Sequence, residues 1–137
     1  MLSCTHLVLY VKDVAVTRAF YVSKLGLTER RYAPDERFLS VAVGDFILNF
    51  YGFVPGEAPP DGYSTGVAHL GLELPSRAEV QDFFGRLDGL PRFGSGQRPL
   101  QTLTDLETSQ TPGPYRFYVR DPDGYALELH TWEGIEN

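Results

Sequence analysis

Three side chains far apart along the chain are of the types that bind divalent metal ions. His6 and His69 each lie in a short apolar segment, and Glu128 lies between two leucines in ALELHTW. The two histidines are 69 − 6 = 63 residues apart, and the residues around them match at that spacing. Two imidazoles and a carboxylate from three separate strands form a ligand set typical of a divalent metal site with open positions.

The two histidine segments belong to an internal repeat. VAHLGLEL, residues 67–74, repeats the opening THLVLYV, and at the same offset Leu70 falls on Leu7, Phe83 on Phe20 and Gly89 on Gly26 without a gap. Two copies are too few for a solenoid and indicate one domain built from two similar halves. We therefore predict a single domain over residues 1–137, with module one at 1–53, a linker at 54–66 and module two at 67–137.

Each half has the pattern of a β-α-β-β-β unit. Asp13 and Ser76 are suited to cap the two helices, and Gly26 and Gly89 to end them. The segment 91–114, rich in Gly, Pro, Thr and Gln, is expected to contain one or two strands, including residues 100–106. The other predicted strands are 5–11, 28–32, 37–43 and 46–53 in the first half, and 67–74, 115–120 and 126–132 in the second.

Alternation along these strands places the candidate ligands on one side of the sheets. Leu127 and Leu129 are expected to face the helix, so Glu128 faces the other way. Helices that cover one face of each sheet leave the opposite faces to curl around a cleft. The repeat then places four pseudo-equivalent positions in that cleft, namely His6, Asn49, His69 and Glu128.

Composition excludes several classes of partner and site. The formal net charge of −6, with no Lys/Arg run, argues against nucleic acid and anionic membranes as partners. Cys4 is the single cysteine, so an intrachain disulfide is impossible and a reducing compartment is expected. We find no signal-peptide pattern and no stretch long enough to span a membrane, so a cytoplasmic protein is expected.

Three motifs carry a resemblance to a known family: HLVLYVKDVAVTRAFYVSKLGL, VAHLGLEL and FYVRDPDGYALEL. Together they resemble the vicinal oxygen chelate superfamily, which includes glyoxalase I, extradiol dioxygenases, fosfomycin-resistance enzymes and bleomycin-binding proteins. The resemblance implies an α+β fold, with two βαβββ modules forming a cupped eight-stranded mixed sheet and helices on the outside. It also implies a homodimer and one divalent metal per site (Zn, Ni, Mn or Fe), held by His6, His69 and Glu128.

Departures from the family patterns favour some activities of the superfamily over others. Asn49 stands where glyoxalase I has a glutamate, and Ser109 to Thr111 stand where the acid/base histidine of extradiol dioxygenases is expected. The resemblance implies an enzyme acting on a small substrate that chelates the metal through vicinal oxygens, with lyase or isomerase chemistry slightly favoured. The alternatives are an extradiol-type ring-cleaving dioxygenase and a non-catalytic protein that binds a drug or metabolite and confers resistance.

Further candidates share the expected cleft-facing side of their strands. His130 follows Glu128 by two residues, about 6.6 Å along a strand, which is within reach for acid/base chemistry. Tyr118 precedes the DPDG turn, as in the dioxygenase motif. The predicted catalytic residues are therefore Glu128, His130 and Tyr118, and the predicted substrate-contacting residues are Asn49, Arg116 and Glu73.

Overall fold

The computed structural model describes residues 1–63, 67–107 and 113–135. The chain divides into two compact units, Met1–Gly66 and Val67–Asn137, so the boundary falls at the end of the predicted linker. Each unit has the order β-α-β-β-β around its own four-stranded mixed sheet, which confirms the predicted α+β class and paired βαβββ modules. That both units form one domain stays a prediction. No helix in the described ranges has the length and hydropathy needed to cross a membrane.

The first unit contains a sheet with the strand order β1-β4-β3-β2. Strand β1 runs parallel to β4, and the remaining pairs are antiparallel. A β-α-β-β-β chain produces this order because the helix carries the chain back across the sheet before the three sequential strands pair. The strands are β1 (His6–Val11), β2 (Thr28–Ala33), β3 (Phe38–Val43) and β4 (Phe46–Gly52).

The crossover helix of the first unit begins and ends where the sequence predicts. Asp13 caps helix α1 (Val14–Arg18), because its side chain accepts a hydrogen bond of 2.8 Å from the backbone N–H of Ala15. The helix continues as a π-helical segment, Ala19–Lys24. Gly26 follows with φ of +75°, a conformation that glycine adopts without steric cost.

The core of the first unit lies between this helix and one face of its sheet. Tyr21 and Phe50 are fully buried with ring centroids 4.7 Å apart, and Val11, Leu39 and Val41 are buried around them. The opposite face of the sheet exposes large apolar side chains at Val8, Tyr10 and Tyr51.

The second unit repeats the strand order as β5-β8-β7-β6. Ser76 caps helix α2 (Arg77–Arg86) by accepting from the backbone N–H of Glu79, which confirms the predicted capping pattern. Phe84 on the helix packs edge-on against Phe117 of the sheet, with centroids 5.2 Å apart. The strands are β5 (Leu70–Glu73), β6 (Arg92–Phe93), β7 (Tyr115–Arg120) and β8 (Ala126–Thr131).

The register of the two sheets confirms the internal repeat. Leu7 pairs with Leu48 in the first unit, and Leu70 pairs with Leu127 in the second. The first strands are thus related by 70 − 7 = 63 residues and the last strands by 127 − 48 = 79. The same register aligns Asn49 with Glu128, as the sequence predicts.

Two predicted elements of the second unit differ from the structure. Residues 100–106 are not a strand: a 3₁₀ turn, Leu103–Asp105, occupies this segment. Thr102 and Asp105 form a reciprocal capping box there, and such local side-chain bonds compete with strand pairing. The first strand of the unit begins at Leu70 rather than at residue 67, so His69 immediately precedes the strand. The segment 91–114, which is predicted to contain one or two strands, contains β6 (Arg92–Phe93), and its residues 108–112 lie outside the described residues.

The capping turn gives a first prediction. The carboxylate of Asp105 accepts hydrogen bonds from the backbone N–H groups of Gln101 and Thr102, which lower the pKa of Asp105 below its ordinary value of 3.8. A carboxyl whose pKa is lowered by folding contributes stability above its unfolded pKa, and this contribution is lost as the pH falls through the folded pKa. We expect Asp105→Ala to lower the melting temperature at pH 7 and to differ less from the unsubstituted chain near pH 3.

Thermal unfolding followed by circular dichroism at both pH values checks this prediction. Asp82→Ala is the matched control, because Asp82 is exposed and its described partner is the side chain of Arg86 at 3.4 Å. An equal loss of stability at pH 7 and pH 3 would contradict a role for the ionised Asp105.

Candidate active site

Glu128 is the centre of the candidate site. It lies in β8 between Leu127 and Leu129, which face the core, and it is itself only 9% exposed. A buried carboxylate is costly unless polar groups compensate for the water that it loses. Both of its oxygens have such neighbours within the second unit.

Tyr118 supplies the hydrogen bond that holds the carboxylate. It lies directly opposite Glu128 in the β7–β8 register, and its hydroxyl donates to Oε2 of Glu128 at 2.7 Å. Burial, followed by this hydrogen bond, raises the pKa of Tyr118 above its ordinary value of 10.0. Tyr118 is therefore a neutral donor at physiological pH.

His69 approaches the same carboxylate oxygen. Its Nε2 lies 3.6 Å from Oε2 of Glu128, and its ring packs edge-on against Tyr118 at a centroid distance of 5.4 Å. The side chain of His69 is 43% exposed, so this imidazole forms the open side of the site. The structure thus brings together two of the three predicted metal ligands.

His130 faces the other oxygen of Glu128. Its Nδ1 lies 2.9 Å from Oε1, yet the two atoms are not aligned for a hydrogen bond, and this buried nitrogen has no hydrogen-bond partner in the described ranges. Gly71 makes room for the ring, because a Cβ at this position would lie 3.2 Å from Cε1 of His130. The predicted proximity of His130 and Glu128 is confirmed, and a glycine is part of the site.

Arg116, predicted to contact substrate, is engaged in a separate polar network. Its guanidinium donates to the carbonyl of Pro114 and the hydroxyl of Ser95, both at 3.1 Å, and its Nε lies 3.2 Å from the Glu107 carboxylate. Glu107 in turn accepts from the hydroxyl of Ser95 at 2.9 Å. The network fixes the segment that begins at Gly94 against the sheet, and a substrate role for Arg116 stays a prediction.

The other predicted site residues are His6, Asn49 and Glu73. His6 is exposed at the start of β1, and its Nδ1 lies 2.9 Å from the hydroxyl of Thr5. The Oδ1 atom of Asn49 is buried and has no hydrogen-bond partner among the residues that the structure describes. Glu73 is exposed and lies opposite His130 in the β5–β8 register. The roles predicted for these residues stay predictions.

The donor atoms present suit a divalent metal. Two ligand atoms bound about 2.1 Å from one tetrahedral zinc ion lie about 3.4 Å apart, and Nε2 of His69 lies 3.6 Å from Oε2 of Glu128. In the ranges 1–63, 67–107 and 113–135, no three His, Cys, Asp or Glu side chains meet as a ligand group. By this distance His69 and Glu128 fit as two ligands of one ion, and a third ligand is needed to complete the set.

A cavity of about 270 Å³ opens beside His69 and Tyr118. Sequence reasoning missed two residues of its wall, Phe93 and Arg120. Arg120 lies two residues beyond Tyr118 on the same face of β7, so alternation alone predicts its position. Phe93 lies in the two-residue strand β6, inside the segment where the sequence pattern is least regular.

Comparison with known proteins identifies the family. The model of the Glyoxalase/Bleomycin resistance protein/Dioxygenase superfamily matches residues 3–129. No curated protein matches the chain significantly.

Solved structures share the fold at low sequence identity. Lactoylglutathione lyase from Agrobacterium tumefaciens is 21% identical, with 99% of each chain covered and a TM-score of 0.66. Oxidase ChaP-H1 is 24% identical, with 96% of each chain covered and a TM-score of 0.68. TnmS3, an antibiotic binding protein from Streptomyces sp. CB03234, is 20% identical, with 96% of each chain covered and a TM-score of 0.65.

The contact between Gly71 and His130 gives a second prediction. We expect Gly71→Ala to displace the imidazole of His130 by a few tenths of an ångström, since its Cβ would lie 3.2 Å from Cε1. The chain has three histidines, so long-range ¹H–¹⁵N spectra of the imidazoles can follow each ring. The His130 signals should shift and those of His6 should stay unchanged.

Gly85→Ala is the matched control, because a Cβ at Gly85 meets nothing within 4 Å. It replaces glycine with alanine on helix α2 and should leave all three imidazole spectra unchanged. Unchanged His130 signals in Gly71→Ala would show that Gly71 does not position the ring.

Proposed function

The chain belongs to the Glyoxalase/Bleomycin resistance protein/Dioxygenase superfamily, and on that premise we propose that it is a metal-dependent enzyme acting on a small substrate with two vicinal oxygens. The observation that carries the proposal is the buried carboxylate of Glu128, with Tyr118 and His69 at Oε2 and His130 at Oε1. Carboxylates and imidazoles grouped at a buried position, beside a cavity, are characteristic of catalytic sites.

His6, His69 and Glu128 would hold the metal, with the two histidines of one site supplied by one chain or by two. The contact with Thr5 occupies Nδ1 of His6 and leaves Nε2 to serve as the ligand atom. The ion, one of Zn, Ni, Mn or Fe, would act as a Lewis acid towards the oxygens of the substrate. The family relationship supports the third ligand, and the distance between His69 and Glu128 supports the other two.

Glu128, Tyr118 and His130 would carry out the proton transfer. Tyr118 holds one oxygen of Glu128 in a fixed position through a hydrogen bond of 2.7 Å. His130 lies 2.9 Å from the other oxygen, close enough to exchange a proton with the carboxylate after a small rotation of the ring. In this scheme Glu128 takes a proton from the carbon next to the substrate carbonyl and passes it to His130, and the same pair returns it to the neighbouring atom of the substrate.

Lyase or isomerase chemistry fits this arrangement better than ring-cleaving oxygenation. Proton transfer next to a carbonyl needs a base that can reach the substrate, and the Glu128–His130 pair provides one. A ring-cleaving dioxygenase is the alternative within the enzyme class. Ser109 to Thr111 stand where extradiol dioxygenases have their acid/base histidine, and these residues lie outside the described part of the chain.

Non-catalytic binding of a drug or metabolite is a second candidate. The exposed face of the first sheet supports it, because Val8, Tyr10 and Tyr51 are 43%, 38% and 44% exposed. Phe38 packs against Tyr51 on that face, with ring centroids 5.0 Å apart. Aromatic surface of this kind binds planar apolar ligands without any need for a metal.

The metal content of purified protein tests the ligand set. We expect about one divalent metal per chain after anaerobic purification, and a loss of most of it in Glu128→Gln and His69→Ala, because each removes one donor. Inductively coupled plasma mass spectrometry measures the content. Glu36→Gln is the matched control, since Glu36 is 62% exposed and pairs with Arg31.

The outcomes separate the two candidates. Retention of metal by the Glu36 variant and loss by the Glu128 variant would support the enzyme. A chain that takes up none of the four metals on titration would contradict it and favour ligand binding.

A separate prediction concerns His130. We expect His130→Gln to keep its metal but to slow deuterium exchange at the α-carbon of an α-hydroxyketone by about 100-fold, because the relay is lost. Proton NMR in D₂O measures the exchange, and oxygen uptake with catechol tests ring cleavage in parallel. Equal exchange rates in the variant and the unsubstituted protein would contradict the relay.

A further inference from the structure

We infer that the cavity beside His69 and Tyr118 binds the anionic group of a small planar carboxylic acid, and that Arg120 is the residue that receives it. This inference rests on the proposed function, because the vicinal oxygens of the same molecule would lie at His69 and Glu128. The residues that line the cavity belong to the second unit and include Phe93, Tyr118 and the segment from Gly94 to Gln97.

Among the residues that the structure describes, Arg120 has no carboxylate partner, whereas other arginines of the second unit have one. Arg92 lies 3.5 Å from Asp88, and Arg98 and Arg116 both approach Glu107. Arg120 donates to the carbonyl of Gly124 at 2.9 Å, and no carboxylate in the described ranges lies within ion-pair distance of it. This hydrogen bond uses one of the five N–H donors of the guanidinium.

The position of the guanidinium is fixed. The central carbon of the group lies 5.0 Å from the ring centroid of Phe93, a cation–π contact that holds the side chain along the cavity wall. Its planar fork matches a carboxylate better than a point charge would. A half-buried guanidinium that is held in place but unneutralised is suited to bind an anion.

The wall beside Arg120 suits a flat molecule. The rings of Phe93 and Tyr118 are nearly parallel, at an angle of 17° with centroids 5.4 Å apart. The two rings are stacked on each other, so Phe93 contacts both the guanidinium of Arg120 and the ring of Tyr118, whose hydroxyl donates to Glu128. An aromatic or conjugated ligand can pack beside this stack, because both rings line the cavity.

The strand register sets the length of the ligand. Arg120 and Tyr118 are two residues apart on β7, about 6.8 Å, and Tyr118 is directly opposite Glu128. A molecule with vicinal oxygens at one end and a carboxylate about 7 Å away would span both groups. A benzene ring with two adjacent hydroxyls and a carboxylate across the ring has that spacing, so it serves as a binding probe rather than as the substrate of the proposed proton transfer.

Binding of three simple probes tests the inference. We expect Zn²⁺-loaded protein to bind 3,4-dihydroxybenzoate at least tenfold more tightly than catechol, measured by isothermal titration calorimetry. Arg120→Gln should remove this preference and leave the affinity for catechol unchanged. Arg120→Lys, which keeps the charge but loses the planar fork, should retain part of the preference.

Arg86→Gln is the matched control, because it removes one positive charge from an exposed position on helix α2 of the same unit. It should bind all probes as the unsubstituted protein does. Thermal unfolding of each variant verifies that it is folded. Equal affinity for the acid and for catechol, or an equal effect of the Arg86 and Arg120 substitutions, would overturn the inference.

Benzoate separates this inference from the proposed function. It carries the anion without the vicinal oxygens, so metal-free protein should bind it weakly and Arg120→Gln should lose at least tenfold of that affinity. If the protein takes up no metal but benzoate binding still depends on Arg120, the proposed enzyme fails and the anion site stands. If Zn²⁺ and catechol bind but benzoate does not, the anion site fails alone.

Discussion

The hydrogen bond from Tyr118 to Glu128 is the interaction on which the second unit depends. A carboxylate that is 9% exposed is costly without a donor, and the donor comes from the adjacent strand at the residue directly opposite. When β7 pairs with β8, the buried carboxylate therefore gains its hydrogen-bond donor at the same time. A slip of one residue would turn Tyr118 to the other face and leave the carboxylate without its donor.

The two units show how far a repeat in sequence predicts structure. Spacing at 63 residues and alternation predict the β-α-β-β-β order of each half and the alignment of Asn49 with Glu128, because both follow from which face of each strand is apolar. What fills the equivalent positions differs: Asn49 lies opposite Ser40 where Glu128 lies opposite Tyr118. The same reasoning wrongly predicts a strand at 100–106. The side chains of Thr102 and Asp105 cap a turn there, and the pattern of apolar residues does not indicate such a turn.

The candidate site is predictable to the same extent as the strands that carry it. Alternation along β7 and β8 brings Tyr118, Glu128 and His130 to one face, and the structure confirms their proximity. Alternation does not predict the ion pair between Arg116 and Glu107, because that contact depends on how an irregular segment folds back on the sheet. The sequence likewise does not predict the space that Gly71 leaves for His130, because that space depends on how β5 pairs with β8.

The brevity of β6 has a consequence for how the protein behaves at high concentration. With two residues, Arg92 and Phe93, the outer strand of the second sheet offers few unpaired backbone groups to another chain. The outer strand β2 of the first sheet is longer, but it carries adjacent charges at Arg30 and Arg31. Short or charged outer strands discourage the strand-to-strand pairing that begins aggregation. Both sheets are thereby shielded, along these edges, from the growth into fibrils that a long apolar edge would invite.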